Sequence, residues 1–516
     1  MSQAEEISPT PPTAIVRVGK PRLDRYQRLI ARLYEAMILL WIEQPVQGPQ
    51  VTVKHDNISL TASRRRLTTG LAHYCDWDKG GRATTSIGIE DSEESSIFWV
   101  ASNQGFQQRE FASAHRIPTF LRQTLRRLQD VTREPDPSAG WLAHQINNLA
   151  RSFAAFATPR IRKEASLLSR MATLCIGHLN GSVTRRGNVT DTEARDLKRW
   201  LKRFQSREAL GAYDICMLAY ISRNDRQMDI LLRLSQEVLV EEGSESLAKV
   251  SYLARHFVGR LGDHIRVSKH LVEDALRVRE VLDVFQVSEV HAPLCVQPPE
   301  IDSHTNLDSI LGRMISKEDE EFSYLQKDLS RFKNHVGLED RIKEQFLKLQ
   351  SNPPIVHCEV QVLEHFHRNG LRFTDGDRFI GTSKFSCFCC KLYYRYHPSR
   401  PVEPDAHEQI YLNWGPINLP EGSYDESYRE LRDTLNPLIR DIRDAFFRAI
   451  KRKNISAFNR PNSITGLTRS IDTLVCADSD SEADSEQEGG AALSDSSKLS
   501  RRAQIFVCDV TTRLQR

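Results

Sequence analysis

Apolar positions recur at helical spacing near the start of the chain. Leu29, Ile30, Leu33, Ala36 and Met37 fall on one side of a 3.6-residue turn and predict a first helix. Two runs of another kind follow, residues 83–89 and 97–101, with β-branched and aromatic side chains. The polar stretch 91–96 between them predicts an antiparallel hairpin. From about residue 112 to residue 350 the pattern becomes mostly helical. Phe120, Leu121, Thr124, Leu125, Leu128 and Val131 form one stripe, and Leu197, Trp200, Leu201 and Phe204 another. Residues 229–241 and 246–285 continue in the same style, with Pro-rich breaks at 134–140 and 291–302. No fixed period repeats, so a solenoid is not expected.

Residues 353–453 mix short strands with helices. Residues 379–381 and 410–414 are strand candidates, and 424–453 predict a helix that Pro437 should kink or split. Residues 1–20, and the tail 456–516 with its acidic stretch 478–486, read as disordered.

Composition narrows the class. The 516 residues are 40% hydrophobic and 27% charged with a net charge of +3, too small an average to argue for nucleic acid. No apolar run approaches the ~20 residues of a membrane span, so no membrane partner is expected. Residues 1–17 lack the apolar core of a secretory signal, which makes the cytoplasm or nucleus the expected location. The 10 cysteines agree: Cys75, Cys175, Cys216, Cys295, Cys476 and Cys508 are scattered singly rather than arranged as a disulfide framework. The sequons at Asn57, Asn180, Asn188 and Asn454 are then chance matches.

The other four cysteines, Cys358, Cys387, Cys389 and Cys390, cluster beside a histidine, the pattern of a metal or catalytic site in a reducing compartment. His357-Cys-Glu359 gives H-x-E, and Cys387-Phe-Cys-Cys390 gives C-x-x-C. At a helix N-terminus, two cysteines one turn apart aim both sulfurs at one point, where free N–H groups favour thiolates. Ser386 suits the N-cap of that helix. His357 and Glu359 would stand about 200° apart on a regular helix, so they share a site only at a strand-to-helix junction. Pro353 and Pro354 enforce an extended approach to it, and Val356, Val360 and Leu363 continue as an apolar stripe. His357, Cys387 and Cys390 would make a three-ligand zinc site with an open position, with Glu359 as the proton carrier, the arrangement of zinc-dependent base deamination. Two other readings stay open: a closed structural zinc with Cys358 or Cys389 as fourth ligand, or ordinary buried thiols. Packing is the expected role of Cys358 and Cys389, and His365 and His367 should lie at the surface or partly packed.

At these residues the chain resembles the cytidine-deaminase-like nucleotide and nucleic-acid deaminase superfamily, and within it the fungal branch of the Orientia-type (OTT-type) deaminases. The resemblance rests on residues 357–363, 378–384 and 386–390 and on 411–414. Ser386 stands where many members have proline. It implies an α/β fold: a three-layer α/β/α sandwich with a mixed sheet of about five strands, interrupted by a large mostly helical insertion. The insertion is inferred because roughly 250 residues separate the hairpin from H-x-E, beyond any ordinary connection. The resulting division is 1–20 disordered, 21–110 first helix and hairpin, 111–350 helical insertion, 351–455 zinc-binding core and 456–516 disordered tail. The resemblance also implies that Asn103, after the second strand, contacts substrate; a turn residue is the equal alternative.

Tyr393, Tyr394, Tyr396 and Trp414 are candidates for stacking on a base, with Tyr393 and Trp414 equally readable as core. Basic clusters at 64–66, 122–133, 198–203 and 451–453 could track phosphates, although solvated helix faces are the better reading of each. The acidic tail could shield such a surface. The expected function is zinc-dependent hydrolytic deamination of cytosine or adenine in a nucleotide or nucleic acid. The alternative is a catalytically inactive zinc-stabilised scaffold that binds nucleic acid or protein. Base identity, polymer or free nucleotide, and oligomeric state are left open.

Overall fold

A computed structural model describes residues 23–43, 59–105, 116–181, 189–205, 210–236, 246–315, 318 and 320–451. The expectations for residues 1–20, the acidic tail, Asn57, Asn188, Asn454, Cys476, Cys508, Arg452 and Lys453 lie outside the described residues. Helices α1 (Arg25–Glu43) and α2 (Leu60–Cys75) precede strands β1 (Thr85–Asp91) and β2 (Ser96–Ser102). A helical stretch follows: α3 (Arg116–Arg133), α4 (Ala139–Phe156), α5 (Thr158–Asn180), α6 (Asp191–Leu201), α7 (Ala212–Ser222), α8 (Arg226–Ser235), α9 (Leu247–Arg277) and the short α10 (Glu280–Asp283). Strand β3 (Phe285–Glu289) leads to α11 (Leu307–Met314), α12 (Glu320–Lys333), α13 (Leu338–Ser351) and α14 (Cys358–Arg368). Strand β4 (Gly381–Thr382), α15 (Phe388–Tyr396) and α16 (Tyr428–Lys451) complete the described chain. None of these helices is long and apolar enough to cross a membrane.

The hairpin is present: β1 and β2 pair antiparallel, with Ile87 opposite Val100. The sheet runs in the order β3-β2-β1-β4, with β3 parallel to β2 and β4 antiparallel to β1. Strand alternation gives it two apolar faces. Ile87, Ile89, Phe98 and Val100 join the core built with α2 to α9. On the other face Ala101 joins a second core with α14, and the ring of Trp99 lies 4.1 Å from that of His365. Two glycines allow helices to close on the strands. A Cβ at Gly88 would stand 2.9 Å from Phe366 and Val362 of α14, and one at Gly381 would stand 2.6 Å from the α2 backbone.

Three expectations are corrected. The sheet has four strands among the described residues, not about five. Residues 410–414 form a turn with a single bridge, Ile355 to Trp414, instead of a strand. Pro353, Pro354 and Pro416 flank that bridge and cannot donate to a longer ladder. Helix α16 runs through Pro437 unbroken; the carbonyl that proline leaves free belongs to exposed Asp433, where water can take it. In addition, α11 to α13, grouped by sequence with the helical region, pack in the second core with α1 and α16.

Arginines of two basic clusters, 64–66 and 198–203, are paired locally. Arg64 pairs with Asp375, Arg65 with Asp377 at 2.6 Å and Arg66 with Asp274 at 2.6 Å, tying α2 to the loop after α14 and to α9. Arg199 and Arg203 pair with Asp196 and Asp225, as expected of solvated faces.

Candidate metal centre

Two helix N-termini converge on the site. His357 is the N-cap of α14, with extended backbone (φ −65°, ψ 147°), so its side chain leaves the helix path, and Glu359 two residues on is near enough for its charge to act on it. The second helix is capped by Cys387 itself and not by Ser386 as expected. The Cys387 Sγ accepts the backbone N–H of Cys390 at 3.4 Å, filling the role predicted for a serine hydroxyl. Ser386 is instead drawn into pairing with the neighbouring loop, donating its N–H to Asp405 and accepting from His407.

The ligands meet at His357 Nδ1, which lies 3.7 Å from Cys387 Sγ and 3.5 Å from Cys390 Sγ. Tetrahedral zinc with Zn–S of about 2.3 Å and Zn–N of about 2.05 Å would hold N and S about 3.6 Å apart. The donor set therefore fits a metal ion, and all three residues are buried. Burial opposes ionisation of Cys387, but the hydrogen bond from Cys390 and the charge of His357 outweigh it and bring the thiol down to about 6. Burial and the neighbouring Cys387 thiolate push Cys390 up. The Cys387 charge also raises His357 against the effect of burial.

Glu359 is 4% exposed, one residue beyond Cys358 on the first turn of α14, and Tyr394 fixes its backbone by donating to its carbonyl at 2.9 Å. Cys358 and Cys389 are buried but stand apart from the ligand group. Cys358 Sγ accepts from the Ser86 hydroxyl of β1 at 3.1 Å, a packing role.

Asn103 borders the centre. Its Oδ1 accepts the N–H of Cys358 at 2.7 Å, satisfying a free donor of α14, and its Nδ2 donates to Gly81 at 2.8 Å. Trp414, the other substrate-contact candidate, is a correction: it is 0% exposed, with its ring 6.0 Å from Tyr393. Enclosed in the core, it presents no face to a base. Tyr393 and Tyr394 are likewise buried, donating to Glu364 and to the Glu359 carbonyl, while Tyr396 donates to Asp441 at 2.7 Å.

Two neighbours of the site were given no role by the motif reading, although Lys384 lies within its residues 378–384. Lys384, three residues before Cys387, donates to the Gly80 carbonyl at 2.5 Å and to Thr84 Oγ1 at 3.3 Å and pairs with buried Asp76 at 3.3 Å. With Asn103 it pins the loop of residues 80–84 beside the centre. His407 is buried, and its Nδ1 accepts the Gln409 N–H at 3.1 Å. Burial, aided by the charge of His357, pushes His407 down to about 3. A lysine and a histidine in loops carry no spacing signal, so only contacts reveal them. At the far end of α14, His367, His397 and Glu430 gather as well, with His367 paired to Glu430 at 2.7 Å and His397 to Glu364 at 3.3 Å.

Comparison with known proteins adds one finding. Residues 356–418 match the family described as OTT_1508-like deaminase, a segment that contains His357, Glu359, Cys387 and Cys390. No curated protein and no solved structure matches the chain.

Proposed function

Proceeding from the OTT-type deaminase family to which residues 356–418 belong, we propose that the protein is a zinc-dependent hydrolytic deaminase of cytosine or adenine, carried in a nucleotide or a nucleic acid. The observation that carries this reading is the placement of His357 Nδ1 at 3.5 and 3.7 Å from two thiol sulfurs, with the buried carboxylate of Glu359 on the same helix turn.

His357, Cys387 and Cys390 hold the ion. Zinc so bound supplies Lewis acidity that makes water a nucleophile near neutral pH. Three protein ligands would leave a coordination position for water, and among the described residues neither Cys358 nor Cys389 belongs to the group. Glu359 takes a proton from water and delivers it to the departing exocyclic amine, which leaves as ammonia while the base gains a carbonyl. The amides of the two helix N-termini favour the thiolates. Asn103 orients the first turn of α14 and, with Lys384, holds the loop 80–84 at the rim, where substrate contacts are proposed.

Glu359→Gln is the test. The expected result is unchanged fold and zinc content with ammonia release lowered by about 10²–10⁴-fold, over a panel of nucleosides, nucleotides and single-stranded oligonucleotides. A zinc-loaded wild type that deaminates nothing in the panel overturns the proposal in favour of a binding scaffold.

A further inference from the structure

A cleft of about 540 Å³ opens along α1 and shares no residue with the metal centre. Its volume falls within the roughly 300–1,000 Å³ of small-molecule sites. Arg25, Arg28 and Arg32 line it from α1, within about 60° of one another around the helix axis. All three are exposed, and none forms an ion pair among the described residues. Arg28 donates to the carbonyl of Leu23 at 3.0 Å, and Arg32 to the side-chain oxygen of Asn436 at 3.3 Å, both neutral acceptors.

The acids lining the cleft do not cancel this charge. Arg313 grips Glu35 through two nitrogens at 3.1 and 2.6 Å, which neutralises that acid within the wall. Asp302 is the remaining acid, and its carboxylate accepts from the His304 N–H at 2.9 Å and the Thr305 hydroxyl at 3.1 Å. Four guanidiniums thus face two carboxylates. Tyr428 adds an aromatic side, packed edge-on against Tyr26.

Three exposed arginines lining one hollow leave a local excess of positive charge, and their planar donors match phosphate oxygens. A neighbouring aromatic ring can cover the face of a base. We propose that this cleft binds a phosphate-bearing ligand, the phosphates of a nucleotide or the backbone of a nucleic acid, at a site separate from the metal centre. The binding requires no deamination, so it stands or falls independently of the proposed activity.

The test is fluorescence anisotropy on the full chain, using labelled single-stranded RNA and DNA of about twenty nucleotides. Unlabelled ATP and inorganic triphosphate serve as competitors. The variants are Arg25→Glu/Arg28→Glu/Arg32→Glu and its conservative counterpart Arg25→Lys/Arg28→Lys/Arg32→Lys. The Glu variant is expected to bind at least about tenfold more weakly, with the slope of log affinity against log salt reduced by about 2 for three lost contacts to a single strand. The Lys variant, which keeps the charge, is expected to retain most of the binding. Equal melting temperatures and metal contents exclude a folding effect. Competition by ATP and triphosphate assigns the site to a nucleotide; binding of the polymer without competition assigns it to a backbone. Wild-type binding to no probe, or equal binding by wild type and the Glu variant, overturns the proposal.

Discussion

Buried charge is handled in opposite ways on the two sides of the sheet. In the helical core Arg160, fully buried, pairs with Asp76 at 3.1 Å and Glu164 at 3.2 Å, and Glu164 in turn meets Arg260 at 3.0 Å and His264 at 3.5 Å. Positive and negative groups alternate, so the cluster cancels within itself. At the candidate metal centre His357, Cys387, Cys390 and Glu359 are also buried, yet among the described residues no lysine or arginine forms an ion pair with them. The donor atoms of His357, Cys387 and Cys390 face one point, an arrangement that could hold a metal ion. Buried titratable groups therefore do not mark function by themselves. What distinguishes the two sites is whether the charges are already cancelled by protein.

The comparison breaks first at the thiolates. Cys390→Ser should lower bound metal from about one ion per chain to near zero and abolish ammonia release, read by elemental analysis and a coupled assay. Full metal occupancy in that variant would mean that Cys390 is not a ligand. Next in size, Arg160→Met leaves Asp76 with only Lys384 and Glu164 with only Arg260 and His264, and should cost about 3 kcal/mol in urea unfolding, while the folded fraction keeps its metal. Metal loss in this variant would show that the two sites are coupled, through the Asp76–Lys384 contact.

Acid offers a graded version. Burial pushes His256 down to about 4, and Glu164, despite burial, is brought to about 2 mainly by Arg160. Both folded values lie below the unfolded ones, so the unfolded chain takes up protons first. His256 contributes stability above about pH 6.5 that is lost as pH falls towards 4, and Glu164 contributes stability above about 4.5 that is lost towards 2. Unfolding free energies from urea titrations at pH 7.5 to 4 should fall by an amount on the order of 1–3 kcal/mol, and His256→Phe should flatten the upper part of that curve. A curve unchanged by this variant would remove His256 as the cause. The smallest effect expected is Asn103→Ala, about 1 kcal/mol from one lost helix-end acceptor, measured by thermal melting. Asn103→Asp, which keeps the acceptor, should recover most of it.

Some of the site was legible because its geometry is local. H-x-E and C-x-x-C each lie within one helix turn, and the prolines before His357 and the polar stretch in the hairpin act on their immediate neighbours. Even there the cap was misplaced by one residue, since Cys387 Sγ can accept from the helix as Ser386 Oγ would. Trp414 shows the opposite case. An aromatic beside a motif suits a stacking platform or a core equally, and its 0% exposure depends on Tyr393 and on a bridge to Ile355.

The amino-acid sequence by itself singled out the His357, Cys387 and Cys390 group, the carboxylate beside it and the hairpin, because covalent spacing and helix or strand periodicity act over a few residues. Tertiary structure decided that Asn103 caps a helix beginning 255 positions later, and that Lys384 reaches across to the loop after α2. It also seated α11 to α13 on α1 and left three arginines facing an open cleft. Those outcomes follow from which apolar faces bury one another and which charges find partners, and neither choice is encoded in local spacing.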